Sequence, residues 1–332
     1  MPESLEFSIV IPTKDRPRQL VACLEALAGL AYPSGRFEVV VVDDGSRMAL
    51  APVLDPFLDR LELTVLRQQN AGPAGARNTG AAKARGRFLA FTDDDCTPAE
   101  DWLQRLATRL ETVPHRLIGG RTINALADNV FSESSQLLID YLYRYYNADP
   151  DDARFFASNN VACSAEAFRK LGGFDPKYPR AAAEDRDLCD RWLQSGTKLA
   201  YAPEAVVYHY HRLGLRSFCR QHFGYGRGAF HYHRGRSLRL GDKFRIEPFG
   251  FYLGLVGYPI RQHSIRRSLL FTVLLILSQA ANAAGYFWER WGPHRSEPDG
   301  RAAGTSGRTA DLVKTRKGRP DPRAGGSPDP TG

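Results

Sequence analysis

The stretch Arg87-Phe-Leu-Ala-Phe-Thr-Asp-Asp-Asp-Cys96 is an apolar run that ends in three consecutive carboxylates. If the chain stays extended there, Asp93 and Asp95 point to one side and Asp94 to the other. Three adjacent carboxylates repel one another, so we expect a cation to compensate them. A divalent ion with oxygen ligands that bridges to substrate phosphates fits this pattern. A solvated acidic turn in front of the next helix is the alternative interpretation.

Three earlier apolar runs predict further strands, at residues 7–12, 37–43 and 61–67. Stretches of helical character separate these runs, for example residues 18–30 and 50–58. Near-continuous apolar strands that alternate with helices are typical of an α/β fold whose parallel sheet is covered on both faces. Ligands of such sheets bind where the strands end. The polar motifs of this chain fall at those ends.

The second strand runs into Asp43-Asp44-Gly45-Ser46, which predicts a tight turn. A carboxylate in such a turn can accept hydrogen bonds from a base or a ribose, although a turn alone also explains the pattern.

The glycine-rich residues 70–80 lead into a helix whose free N–H groups favour an anion. Their spacing is not G-x-G-x-x-G, and Thr13-Lys14-Asp15-Arg16 follows the first strand instead of glycines. Both absences argue against a dinucleotide dehydrogenase, and no P-loop motif is present.

Thr97 and Glu100 form a capping box with Pro98 at the first helical position. This pattern predicts a helix over residues 98–110. A strand is predicted later, at residues 199–207.

Asp185 lies in the first turn of a second predicted helix, Glu184–Gln194, which Gly196 ends. It shares one stripe of this helix with Leu188 and Trp192, so it faces inward. An inward carboxylate at a helix start can be only an N-cap. An ionised, partly desolvated carboxylate also suits a general base.

Tyr208-His209-Tyr210-His211 follows the predicted strand at 199–207. Because side chains alternate along a strand, both histidines point to the same side. Either histidine can be a metal ligand or a phosphate contact, and a structural pair is the alternative.

The five cysteines of this 332-residue chain are scattered and form no C-x-x-C pair. Their pattern excludes a disulfide framework and a zinc knuckle, and it fits a reducing compartment. No basic segment precedes the first apolar run, so we expect no cleaved signal peptide.

The net charge of +8 is concentrated in one segment: residues 212–245 hold nine Arg or Lys against one acid. Residues 248–260 follow as an uncharged aromatic run, and 268–288 are 21 residues without a charge. This neighbourhood favours an anionic membrane surface over nucleic acid as the partner. One or two inserted helices, or a helix lying in the interface, both fit the pattern. Residues 291–332 are expected to be disordered.

In chain order, these motifs resemble family-2 glycosyltransferases. The motifs that carry the resemblance are Ser8–Arg16, Val41–Ser46, Gly75–Asn78, Phe91–Asp95, Gly172–Asp175 and Glu184-Asp185. The resemblance covers about residues 5–211 and implies the GT-A fold, a mixed sheet with helices on both faces. A nucleotide-binding half (1–116) and an acceptor half (117–211) are then followed by a membrane-associated helical region (212–290).

The resemblance also assigns roles to individual residues. Contacts to the nucleotide sugar are expected from Pro12, Thr13, Asp15, Asp43, Asp44, Arg77, Asn78, Asp93 and Asp94. A divalent metal, Mg²⁺ or Mn²⁺, is expected at Asp93, Asp95 and His209. Asp185 matches the general base of inverting members, with Glu184 beside it. Because Asp94 is also available, the register of the family's D-x-D signature within the triplet stays open.

The function implied is inverting transfer of a sugar from a nucleoside-diphosphate sugar to an acceptor hydroxyl. The Q-x-x-R-W motif of processive synthases is missing, and Phe223-Gly-Tyr-Gly-Arg-Gly228 stands in its region, so we expect single additions. We expect the enzyme to act in cell-surface glycan or glycolipid synthesis, at the cytoplasmic face of the cell membrane. The acceptor can be a glycan, a lipid-linked molecule or a small molecule. A metal-dependent nucleotidyltransferase and a non-catalytic membrane scaffold are the rival interpretations.

Overall fold

The computed structural model describes residues 5–178, 182–241, 247–292 and 311–315. The strands in this part of the chain are β1 (Phe7–Thr13), β2 (Phe37–Asp43), β3 (Leu63–Arg67), β4 (Phe88–Thr92), β5 (Cys96–Pro98), β6 (Leu117–Asn124), β7 (Asn160–Ser164), β8 (Leu199–His209) and β9 (Asp311–Thr315). They form one sheet in the order β5-β8-β6-β7-β4-β1-β2-β3-β9. β1, β2, β3 and β4 are parallel to one another, whereas β7 pairs antiparallel with both β4 and β6. The sheet is therefore mixed, as expected.

Helices lie on both faces of this sheet. They are α1 (Pro17–Ala28), α2 (Ala51–Leu54), α3 (Gly72–Lys83), α4 (Trp102–Thr112), α5 (Val130–Tyr146), α6 (Ala165–Lys170), α7 (Glu184–Gln194), α8 (Leu215–Leu240), α9 (Phe249–Gly257) and α10 (Ile265–Trp291). Alternation along the strands supplies both cores: Ile9 and Ile11 of β1 pack on the side of α1 and α4, whereas Val10 packs on the side of α3 and α7.

Strand register brings the polar motifs to one edge of the sheet. Thr13, the last residue of β1, pairs with Asp43, the last residue of β2. Directly after the acidic triplet, β5 pairs antiparallel with β8, and Cys96 lies opposite His209. The acidic triplet after β4 is therefore held between the end of β1 and the end of β8.

The predicted helix over residues 98–110 begins too early. Cys96–Pro98 forms strand β5, and α4 begins at Trp102 with Asp101 as its N-cap residue. The backbone of Thr97 and Pro98 pairs with β8, so tertiary pairing overrides the local capping pattern. By contrast, the predicted bounds of β2 and α7 coincide with the structure.

The segment after residue 211 is helical and packs on α5. α10 packs against α5, α8 and α9. Within the described ranges, α10 is also the helix that is long and apolar enough to cross a membrane. The expected disorder of the tail does not hold for Asp311–Thr315, which pairs antiparallel with β3 as the edge strand β9. The other residues after 292 lie outside the described part of the chain.

Candidate active site

A large cleft opens at the edge of the sheet where β1, β2 and β4 end. Its volume is about 1500 Å³. One wall consists of the loops after these strands, and the other walls come from α5, α7, α8, α9 and α10. The cleft therefore joins the predicted nucleotide-binding half to the C-terminal helices.

The acidic triplet forms a turn rather than an extension of β4. The strand ends at Thr92, and the amide N–H of Cys96 donates to the carbonyl of Asp93 at 3.1 Å. In consequence Asp94 and Asp95 face the same guanidinium: Arg16 Nη1 lies 3.1 Å from Asp94 Oδ1 and 2.9 Å from Asp95 Oδ2. The expectation that Asp93 and Asp95 share one side, with Asp94 opposite, is wrong.

Asp94 is nearly buried and also accepts a hydrogen bond from Thr13 Oγ1 at 2.8 Å. Burial raises the pKa of Asp94 to about 6, against the opposing charge of Arg16. Arg16, which the sequence motifs do not assign, thus compensates two carboxylates of the triplet.

Asp95 forms a cluster with His209 and His211. Nε2 of His209 lies 3.3 Å from Asp95 Oδ1, and Nδ1 of His211 lies 3.4 Å from Asp95 Oδ2. Although burial opposes it, hydrogen bonding to the two imidazoles holds the pKa of Asp95 well below its usual range. The imidazole of His209 is itself desolvated, yet its hydrogen bond to Asp95 raises its pKa.

This cluster fits a divalent cation. One ligand atom from each of the three residues lies within 4.8 Å of the other two. A carboxylate oxygen with two imidazole nitrogens suits Mn²⁺ better than Mg²⁺, which prefers oxygen ligands and keeps its water. The predicted ligands Asp95 and His209 come together here. Asp93 does not, and His211, which the family motif does not assign, takes the third place.

Asp93 instead belongs to an ion pair on the opposite wall. Arg77 of α3 is buried, and its Nη2 donates to Asp93 Oδ1 at 2.6 Å. Its Nη1 donates to Glu184 Oε1 at 3.2 Å. The ring of Phe174 lies under the guanidinium at 5.5 Å. Arg77 thereby ties the end of β4 to the start of α7.

Glu184 and Asp185 are two of the three carboxylates in the first turn of α7, and both line the cleft. Ala183 precedes the helix in the left-handed region at φ 69°, which turns the chain into the cleft. Glu184 is buried against Arg77, whereas Asp185 is only partly buried. Burial raises the pKa of Glu184 to about 7, helped by the charge of Asp185. Burial also raises the pKa of Asp185.

Several of the predicted donor contacts line the cleft: Pro12, Thr13, Asp15, Asp44, Arg77, Asp93 and Asp94. Asp44 accepts hydrogen bonds from the backbone N–H groups of Ala71 and Gly72, at 2.8 and 2.9 Å, so it caps the start of α3. Asp15 has a positive φ of 55° and accepts from the N–H of Arg47 at 2.8 Å, which orders the loop after β2.

Two predicted donor contacts do not line the cleft. Asp43 is buried and accepts from the N–H of Ser46 at 2.8 Å, so it closes the turn after β2. Asn78 uses both ends of its amide on the backbone of Phe174, at 2.7 and 2.9 Å. Both side chains order the backbone next to the cleft, and neither is among the residues that line it.

Comparison with known proteins gives this arrangement a family. The profile described as Glycosyl transferase family 2 matches residues 8–172. Pre-mycofactocin glycosyltransferase from Mycobacterium tuberculosis is 31% identical over 234 residues, which are 69% of this chain and 47% of that relative. The chain belongs to glycosyltransferase family 2.

A second relative of this glycosyltransferase is less similar over a comparable length. Chondroitin synthase from Pasteurella multocida is 26% identical over 242 residues, which are 62% of this chain and 25% of the relative. The chain thus spans less than half of the length of these two relatives.

Solved structures support the GT-A fold of this glycosyltransferase. A mannosyltransferase from Pyrobaculum calidifontis, in complex with GDP-Man and Mn²⁺, matches with a TM-score of 0.62 and 18% identity over 87% of this chain and 88% of that one. TarS 1–349 of S. aureus, in complex with UDP-GlcNAc, matches with a TM-score of 0.51 and 18% identity, covering 85% of this chain and 89% of that one. At these identities the likeness concerns the fold.

Proposed function

We propose that this glycosyltransferase moves a sugar from a nucleoside-diphosphate sugar to an acceptor hydroxyl, with inversion at the anomeric carbon. The observation that supports this most directly is the pairing of two groups on the walls of one cleft. One is the carboxylate of Asp185, whose pKa is raised by burial. The other is the Asp95–His209–His211 cluster, which suits a divalent cation. Together they supply a base for the acceptor and a place for the diphosphate.

In this proposal the donor binds at the ends of β1, β2 and β4. The two solved neighbours hold GDP-Man and UDP-GlcNAc, which supports a nucleotide sugar as the donor class here. Asp95, His209 and His211 would hold Mn²⁺. When bound, the ion neutralises charge on the departing diphosphate.

The transfer itself is a single displacement. The acceptor oxygen attacks the anomeric carbon while the bond from that carbon to the diphosphate oxygen breaks, and Asp185 takes the hydroxyl proton. Glu184 and Arg77 hold the start of α7 in place through their ion pair. General-base catalysis contributes about 10²–10⁴ in rate, so positioning and charge neutralisation supply the rest.

We infer single additions, because the motif of processive synthases is missing, and a role in cell-surface glycan or glycolipid synthesis. The apolar helix α10 supports association with a membrane, and the scattered reduced cysteines support its cytoplasmic face. A glycan, a lipid-linked molecule and a small molecule can each supply the acceptor hydroxyl.

Substitution Asp185→Asn tests the base. We expect transfer to fall by at least about 10²-fold while UDP or GDP binding stays within a factor of two or three, because the amide keeps the shape but cannot take a proton. Asp128→Asn, at an exposed carboxylate outside the cleft, is the matched control. The released product should be a nucleoside diphosphate. Parallel loss of binding and transfer in Asp185→Asn would assign this residue a structural role, and release of pyrophosphate would point to a nucleotidyltransferase.

The metal cluster is tested without turnover. We expect His211→Gln to weaken Mn²⁺ binding about tenfold or more, as measured by electron paramagnetic resonance of the free ion, because one nitrogen ligand is lost. His115→Gln, at an exposed histidine away from the cleft, should leave Mn²⁺ binding unchanged. Equal affinities of the two variants would remove His211 from the ligand set.

A further inference from the structure

α9, α10 and the turn between them carry large apolar side chains that the fold leaves exposed. This set, the apolar face, consists of Phe249, Leu253, Ile260, Ile265, Leu269, Leu270, Val273, Ile276, Phe287, Trp288 and Trp291. Phe249 is 76% exposed, Leu269 65% and Val273 61%. Water-soluble proteins rarely expose contiguous apolar patches of this extent, so the apolar face needs a partner.

The other side of α10 is already packed on the protein. Phe271, Leu274 and Leu275 are buried against α5, α8 and α9. Further along, Gly285 meets the backbone of α8 so closely that no side chain fits between them. One face of α10 therefore packs on α5, α8 and α9 along most of its length. In the part of the chain that the structure describes, the opposite face is exposed to solvent.

Charge around the apolar face selects its partner. Arg261, Arg266 and Arg267 are exposed at the N-terminal end of α10, and Arg290 is exposed at its C-terminal end. Trp288 and Trp291, near that same end, are the residues that membrane interfaces favour. An apolar face with arginines at both ends matches the surface of a bilayer that contains anionic lipids.

The path of the chain decides between crossing the bilayer and lying in it. α10 is preceded by α8 and α9, which pack on the catalytic body. After α10, Asp311–Thr315 pairs with β3 of the catalytic sheet. A single crossing would place these two segments on opposite sides of the membrane. Both ends of α10 are thus tied to the same side.

We infer that α9 and α10 lie in the plane of an anionic bilayer and open the cleft towards it, so that the acceptor reaches Asp185 from the membrane. Ala283 and Phe287 are exposed and also line the cleft, so the cleft and the apolar face share a rim. Tyr252 and Tyr286 line the cleft behind this rim. The acceptor is then an amphiphile, with an apolar part in the bilayer and a hydroxyl-bearing head in the cleft. This acceptor assignment rests on the proposed function.

Vesicle flotation tests the partner of the apolar face. We expect the full chain to float with vesicles of phosphatidylglycerol and phosphatidylcholine, and less with phosphatidylcholine alone or at high salt. Ile276→Glu should reduce binding at least about tenfold, whereas Met48→Glu, at a similarly exposed position after β2, should not. Equal binding of both variants would overturn the proposal, as would a stable dimer in light scattering that hides the apolar face without vesicles.

Cysteine accessibility tests the orientation. In a Cys219→Ser background the other four native cysteines are buried. Arg266→Cys and Arg290→Cys place one thiol at each end of α10. With protein added to the outside of vesicles, we expect an impermeant maleimide to label both sites from outside. Protection of one site until detergent is added would show a crossing and overturn the proposal.

A fluorophore at the rim tests where the cleft opens. A probe on Ala283→Cys should be quenched by nitroxide-labelled lipids, and a probe on Met48→Cys should not. An unquenched probe at Ala283 in a protein that floats with vesicles would overturn the opening towards the bilayer.

The acceptor class is read from the partition of the product. Total membranes are incubated with the protein and labelled UDP-glucose or GDP-mannose. Labelled product in chloroform–methanol, absent with Asp185→Asn, supports the amphiphile, whereas product in the aqueous phase alone overturns it. Absence of product in both phases would count against the proposed transfer instead.

Discussion

Glu184 and Asp185 are neighbouring carboxylates whose protonation is shifted towards neutral pH. Burial raises both pKa values, and that of Glu184 reaches about 7 despite the charge of Arg77. A raised pKa means that the carboxylate takes up its proton at a higher pH than usual, already near neutrality.

From this pair we expect an acid limb in the pH profile of kcat/KM. The base must be ionised, so the rate should fall about tenfold per pH unit on the acid side, and burial should place this limb at a higher pH than an ordinary aspartate would give. The measurement is kcat/KM between pH 5.5 and 8.5 at saturating Mn²⁺.

Metal ligands also titrate, and a change in metal concentration separates the two sources. Protons compete with Mn²⁺ for His209, whose pKa is raised by its hydrogen bond to Asp95, so a limb caused by this ligand would move to lower pH at tenfold higher Mn²⁺. A limb caused by the α7 pair should stay in place. A limb that moves with Mn²⁺ would remove the α7 pair as its cause.

At the level of single residues, sequence predicted which polar residues line the cleft better than it predicted their contacts. The triplet, Asp185 and His209 all line it. Each motif alone also allowed a structural interpretation, and the order of the motifs along the chain carried the prediction. Asn78 and Asp43 look equivalent to ligand contacts in sequence. Only the fold shows that their polar atoms are used on nearby backbone. Arg16 is the last residue of the first motif, Ser8–Arg16, and this position is the signal that could have marked it.

The helices α8 and α10 approach each other through glycines. A Cβ at Gly226 would overlap the carbonyl oxygen of Asn282, and one at Gly285 would overlap that of Phe223. Gly224, two residues earlier in α8, has no atom within 4 Å of such a Cβ. The contact thus depends on particular glycines and tolerates a side chain at others.

We expect Gly226→Ala to lower the free energy of unfolding by about 1–3 kcal/mol, because the two backbones must separate. Gly224→Ala should leave it unchanged or raise it by up to about 1 kcal/mol, because alanine is the better helix former. Urea unfolding in detergent measures both. Equal effects of the two substitutions would show that the helices do not pack at Gly226.

Elements whose faces are both buried were the easiest to predict. β2 is buried throughout and apolar apart from Glu38 and Asp43, and α7 carries a regular apolar stripe, so tertiary contacts reinforce the local pattern. Cys96–Pro98 is the opposite case. Its capping signal is local, whereas its pairing partner in β8 lies more than 100 residues away and leaves no trace in the local sequence.

Across the whole molecule, the C-terminal helices complete both the core and the cleft. Leu137 of α5 packs with Phe218 and Phe271, and Leu138 packs with Leu255 and Leu275. A boundary at residue 211 was predicted from composition, which changes there from mixed to basic and apolar. Composition does not show that α5, which lies well before that boundary, has an apolar stripe that packs against the helices after it.

A truncation pair tests this dependence. We expect a chain ending at residue 211 to aggregate or to lose UDP and GDP binding, because the apolar side of α5 becomes exposed and the cleft loses one wall. A chain ending at 292 keeps α8, α9 and α10 and loses the edge strand β9, so it should bind nucleotide in detergent like the full chain. Thermal unfolding with and without nucleotide and Mn²⁺ measures both, since bound ligand raises the midpoint. A folded, nucleotide-binding chain ending at 211 would show that the catalytic sheet stands alone and that the helices serve the membrane and the acceptor only.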